Sequence, residues 1–191
     1  MNDREVIQRI AAGEQEAFKG LVDLHAPSVL NICHRILRNQ QDAEDVAQDV
    51  FVSVYRKAGT FRGDSGLSTW LHRIAVNLSL NQLRRRKWDR YWGALSLSDQ
   101  KGEMAVRALE APEHRRPDSR LEEKERSEIL ADVLNTLPER QRVALILHKF
   151  EGLSHREVAD VLQVSLSSVE SLIQRGKENL RKKLTPFLGK M

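Results

Sequence analysis

Apolar residues recur at helical spacing through almost the whole chain, and strict two-residue alternation is hard to find. Val6, Ile7 and Ile10 form a first short stripe, closed by Gly13. Ala17, Phe18, Leu21 and Val22 form a second, which Pro27 is expected to interrupt because its ring clashes with the preceding helical turn. Val29, Ile32, Cys33, Ile36 and Leu37 form a third, and Cys33 on this stripe reads as a buried structural thiol. Residues 42–58 predict a fourth helix, with Ala43, Val46, Ala47, Val50 and Val54 on one face. Asp42, Asp45 and Asp49 gather on nearly the opposite side. The turn formers Arg62-Gly63-Asp64-Ser65-Gly66 predict a loop. A long helix from about Ser68 to Trp88 follows, on a stripe of Leu71, Ile74, Ala75 and Leu78.

Residues 93–120 lose this periodicity around Gly93, Gly102, Pro112 and Pro117, and predict a flexible linker with a short helix over Met104–Leu109. Helical spacing returns at Leu121 and holds to Leu184. Leu130, Val133, Leu134 and Leu137 form a stripe ending at Pro138, a residue suited to the first turn of the next helix. That helix carries Val143, Ile146, Leu147 and Phe150, and Gly152 stops it. Ser154 and Glu157 have capping-box spacing and open a helix on Val158, Ala159 and Leu162. Gln163-Val164-Ser165 makes a turn into a last helix on Val169, Leu172, Ile173 and Leu180. A short capped helix, a tight turn and a longer helix read as a helix-turn-helix. The pattern predicts an all-α chain of two small helical domains, residues 1–92 and 121–191, on a flexible linker of residues 93–120.

Composition narrows the class. The 191 residues are 40% hydrophobic and 30% charged, which suits a soluble globular protein. One cysteine excludes a disulfide framework and a Cys-rich zinc site. A charged start, Met1 to Glu5, and no long uncharged apolar run predict neither secretory signal nor membrane span, hence a cytoplasmic chain. The net charge of +4 hides an asymmetry: residues 59–92 hold 7 basic and 2 acidic residues, while residues 1–58 hold 7 and 9. The excess centres on Arg84-Arg85-Arg86-Lys87. Such a run suits either a solvated helix end or a polyanion, and the nearby Trp70, Trp88, Tyr91 and Trp92 favour nucleic acid. No nucleophile–base pair, metal-ligand cluster or glycine-rich phosphate loop stands out, so neither an enzyme nor a cofactor is expected.

Two ordered segments add to the helix-turn-helix. They are Asp42-Ala43-Glu44-Asp45-Val46-Ala47-Gln48-Asp49-Val50-Phe51, and the downstream Thr60-Phe61-Arg62-Gly63-Asp64-Ser65, Thr69-Trp70-Leu71 and Arg73-Ile74-Ala75-Val76-Asn77. Together they resemble bacterial RNA polymerase sigma factors of the extracytoplasmic-function (ECF) group of the sigma-70 family, over roughly residues 3–92 and 121–185. The resemblance implies a factor that recruits core RNA polymerase to promoter DNA and helps melt it. Asp42, Asp45, Gln48 and Asp49 would dock on the β′ clamp helices, with a further contact at the β flap. Arg62, Trp70, Arg73, Asn77, Asn81, Arg84, Arg85, Arg86 and Lys87 would read the −10 element, where a base of the separated strand is flipped into a pocket. Trp70 suits a core anchor equally well. Ser167, Ser168, Ser171, Gln174, Arg175 and Lys177 would meet the −35 element in the major groove. An anti-sigma factor, membrane-anchored or soluble, would hold the protein inactive.

The chain departs from the family pattern in its last domain. Ser167-Ser168-Val169 stands where Gly-Thr-Val is common, Glu170 and Leu172 where arginines are frequent, and Gln163 where a turn glycine is usual. Glu170 suits either a cytosine amino group or a capping role as the N3 partner of Ser167. Two other classes compete. A stand-alone helix-turn-helix regulator binding operator DNA leaves Asp42–Phe51 unexplained. A Mg²⁺-dependent nucleic-acid enzyme would need partner carboxylates beyond one helix face.

Overall fold

The computed structural model describes residues 2–96 and 128–188. Helix α1 (Asp3–Ala11) opens on a capping box: Asn2 N–H donates to Glu5 Oε2 at 3.2 Å, and Asn2 Oδ1 accepts from Arg4 N–H at 3.4 Å. Asn2 and Glu5 have the spacing for this box, which is not among the expectations above. Helix α2 (Gln15–Leu37) continues unbroken past Pro27, so the expected interruption does not occur. Pro27 removes one backbone hydrogen bond, whereas Leu21 before it and Val29 and Ile32 after it bury the same helix face. Packing outweighs the lost bond.

Helix α3 (Gln40–Lys57) is capped by Asn39, whose Oδ1 accepts from Asp42 N–H at 2.9 Å. A 3₁₀ turn, Ala58–Thr60, leads into the polar loop. Helix α4 (Leu67–Ser96) passes beyond Trp88 and enters the expected linker, since one glycine, Gly93, costs a helix only about 1 kcal/mol. The rest of that linker, including Met104–Leu109, and the return of periodicity at Leu121 lie outside the described residues.

Helix α5 covers residues 128–135, and α6 (Glu139–Leu145) follows it. Pro138 is the N-cap of α6, with extended backbone (ψ 136°), and not its first helical residue. The chain then widens into a π-helical turn, Ile146–Phe150, with Glu151 N–H donating to Ile146 O at 3.2 Å. Helix α7 (His155–Leu162) begins with the expected box: Ser154 N–H donates to Glu157 Oε2 at 2.8 Å and Ser154 Oγ accepts from Glu157 N–H at 3.3 Å. Ser154 Oγ–H also donates to Glu157 Oε2 at 2.7 Å, and this bond, with the one from Ser154 N–H, holds the Glu157 carboxyl below the usual range. Helix α8 (Leu166–Leu188) completes the helix-turn-helix.

The described residues thus form two helical bundles. Ile10, Ile32, Ile36, Val50, Val54 and Leu71 are buried in the first and Val143, Ile146, Leu147, Val158, Val169 and Ile173 in the second, and the two sets run into one apolar cluster. The bundles also pack on each other, α7 against α4. Arg38 pairs with Asp132, Arg35 Nε lies 3.6 Å from Glu151 Oε1, and the Arg35 guanidinium sits 4.5 Å above the Phe150 ring. None of the described helices is long and apolar enough to cross a membrane.

Candidate nucleic-acid interface

Helix α3 turns Ala43, Val46 and Val50 into the core and leaves Asp45, Gln48 and Asp49 exposed on its back. Asp42 departs from that group: it is only 16% exposed and pairs with Arg86 of α4. The pair joins a residue expected at the polymerase to one expected at phosphates. Asp42 therefore bridges α3 to the basic end of α4.

Helix α4 carries most of the residues expected at the −10 element. Asn77, Asn81, Arg84, Arg85 and Lys87 are exposed, Arg73 and Arg86 half-buried, and Arg84 Nη1 donates to Asn81 Oδ1 at 3.3 Å. Trp70 is 7% exposed and packs on Phe61 with ring centroids 5.1 Å apart, so the structure places it as a core anchor. Its edge still reaches a cavity of about 500 Å³, whose walls include Phe61, Arg62 and Arg73 on one side and Asp160 and Gln163 on the other. The loop and the turn of the helix-turn-helix face each other across this space.

In the helix-turn-helix, Gln163 adopts the left-handed conformation (φ 53°, ψ 49°) that ends α7 and turns the chain. Ser165, one residue before α8, is its cap: Ser165 Oγ accepts from Ser168 N–H at 3.3 Å, and Val169 N–H donates to Ser165 O at 3.1 Å. The capping alternative for Glu170 is thereby overturned, since Ser167 lies inside the helix and Ser168 holds the N3 position. Ser167, Ser168, Ser171, Gln174, Arg175 and Lys177 are all exposed on α8. Gln174 Nε2 donates to Glu178 Oε1 at 3.2 Å, which orients one of these side chains along the helix. A row of short hydroxyls and amides on an exposed helix can enter a major groove and exchange hydrogen bonds with base edges.

Two contacts to the loop come from α1, a helix the sequence pattern marks only by its apolar stripe. Leu67 N–H donates to Asp3 Oδ2 at 2.9 Å, and Arg4 Nη2 donates to Arg62 O at 3.0 Å. Nothing local in the sequence signals them, because the partners lie about sixty positions apart.

Comparison with known proteins identifies both halves of the chain. Residues 21–89 match sigma-70 region 2, and residues 127–180 match sigma-70 region 4. The chain is 38% identical to the RNA polymerase sigma-H factor of Pseudomonas aeruginosa, over 97% of this chain and 95% of that protein. It is 31% identical to the ECF RNA polymerase sigma factor SigW of Bacillus subtilis, over 93% and 94%. Against the ECF RNA polymerase sigma-E factor of Escherichia coli K12 the identity is 30%, over 98% and 97%. Among solved structures, CnrH in complex with the cytosolic domain of CnrY is similar with a TM-score of 0.67 and 26% identity, over 95% of this chain and 96% of that one. Both halves and their order match, and the chain belongs to the sigma-70 family of RNA polymerase sigma factors, in its ECF group.

Proposed function

We propose that this chain works in the cytoplasm, docking on the β′ clamp helices of core RNA polymerase through Asp45, Gln48 and Asp49 and directing it to promoters with two separated elements. Asp42 joins that surface once Arg86 engages DNA phosphate. The observation that carries this reading is α3: Ala43, Val46, Ala47, Val50 and Val54 face the core, while Asp45, Gln48 and Asp49 stand exposed on its back beside Asp42, which turns to Arg86. Arg62, Arg73, Asn77, Asn81 and the basic run Arg84–Lys87 serve the −10 element, with Trp70 as the wall behind the captured base. Ser167, Ser168, Ser171, Gln174, Arg175 and Lys177 serve the −35 element, and region 4 contacts the β flap.

The closed packing bears on regulation. The two promoter elements lie roughly 85 Å apart, 25 steps at about 3.4 Å each. Here the −10 loop and the helix-turn-helix share one cavity. The closed arrangement therefore has to open on polymerase, and an anti-sigma factor acts by keeping it closed. The complex of the related CnrH with the cytosolic domain of CnrY supports a protein partner of this kind.

Run-off transcription with bacterial core polymerase on a pool of promoter-like DNA tests the reading. Transcripts that require this protein, and that are lost in the D45N/D49N variant while the fold persists, are the expected result. Silence with the folded protein still binding duplex DNA would overturn it.

A further inference from the structure

The loop that follows Phe61 is held from outside, by α1. Gly66 is the N-cap of α4, since Trp70 N–H donates to Gly66 O at 3.1 Å, yet glycine has no side chain to satisfy the first amides of the helix. Asp3 supplies the missing acceptor from another helix, taking the Leu67 N–H at 2.9 Å. A carboxylate at that point also meets the positive end of the α4 dipole. The next residue, Arg4, holds the other end of the loop through its bond to Arg62 O at 3.0 Å. Its guanidinium lies so close to Gly63 (φ 72°) that a Cβ there would fall 2.3 Å from Arg4 Nε. Consecutive residues of α1 thus grip the loop at both ends. Helix α1 is itself anchored by Ile7 and Ile10, each at most 2% exposed.

We infer that Asp3 and Arg4 are positioning residues for −10 recognition: they set the Phe61–Gly66 loop in the shape that receives a base. This rests on the −10 reading proposed above. It goes beyond the family match, which for region 2 begins at residue 21 and leaves α1 outside. Both side chains are exposed, so truncating them leaves the core intact.

The test uses holoenzyme built from core polymerase and the full chain, with a promoter recovered from the transcription pool. Fluorescence anisotropy gives the affinity for a single-stranded non-template oligonucleotide carrying the recovered −10 sequence, divided by that for a scrambled one. D3A and R4A should each lower this ratio by about tenfold, the scale of one lost charge-assisted hydrogen bond. D3N keeps a carbonyl oxygen to accept from Leu67 N–H and should recover most of the ratio. E5A loosens the α1 cap without touching the loop and should leave the ratio unchanged. Wild-type ratios in D3A and R4A, or an equal fall in E5A, would overturn the inference. A ratio of one in the wild type would overturn the −10 reading itself, and this inference with it.

Discussion

Gln163 carries its backbone at φ 53° at the one sharp turn between α7 and α8. For a residue with a Cβ that conformation costs about 1 kcal/mol or more, and glycine escapes it. Gln163→Gly should therefore raise the free energy of unfolding by about 1 kcal/mol, read from urea denaturation. Cys33 makes the opposite point: it is fully buried, and burial pushes its thiol up to about 11, against weaker help from Ser79. At neutral pH a soluble maleimide should label it no faster than the first bundle unfolds. Labelling faster than unfolding would show that the α2 stripe opens locally.

Helices α2 and α4 meet across His72, 8% exposed, whose Nε2 lies 2.9 Å from Ser28 Oγ of α2 while Nδ1 is buried without a partner. Burial, then the like charge of His25 on α2, pulls the His72 imidazole below its usual pKa, and Glu157 of α7 opposes this more weakly. The folded protein thus holds His72 neutral where the unfolded chain would take a proton. Its contribution is full above the ordinary histidine value of about 6.5 and is lost as pH falls from there through the lowered folded value. The melting temperature should drop over that acid window, and His72→Gln should flatten the drop. Helices α6 and α8 meet at Gly176, where an added Cβ would lie 2.9 Å from Leu145 Cδ1. Leu145 is 3% exposed and cannot swing aside freely, so Gly176→Val should cost about 2 kcal/mol in thermal or urea unfolding.

Across the whole molecule the two bundles are joined by partly exposed pairs, Arg35 with Glu151 and Arg38 with Asp132. Burial raises the Glu151 carboxyl and the Arg35 charge opposes that rise, so this pair is the drier one. Each such pair contributes no more than about 1 kcal/mol and weakens with salt. A latch of this strength can hold the closed form and still yield to polymerase. The radius of gyration from small-angle scattering should increase with salt, and in the R35A/R38A variant at low salt. A radius insensitive to both would assign closure to the apolar contact of α7 with α4 alone.

Much of this was legible along the chain because it depends on local spacing. The stripes placed α3, α4 and the helix-turn-helix, Ser154 and Glu157 marked their own box, and the order of segments carried the family. Local rules failed at Pro27, which stays helical because both flanks are buried, and left Trp70 open between base and core, which its packing on Phe61 decides. Helical phase puts Asp42 beside Asp45 and Asp49, but only the approach of α4 turns it to Arg86. The same holds for Asp3 and Arg4, whose partners near residue 63 come within reach only when α1 folds onto the loop. Periodicity reports which face of a helix is apolar. Which neighbour covers that face, and which charge it brings, is set by long-range packing, and there the sequence alone is silent.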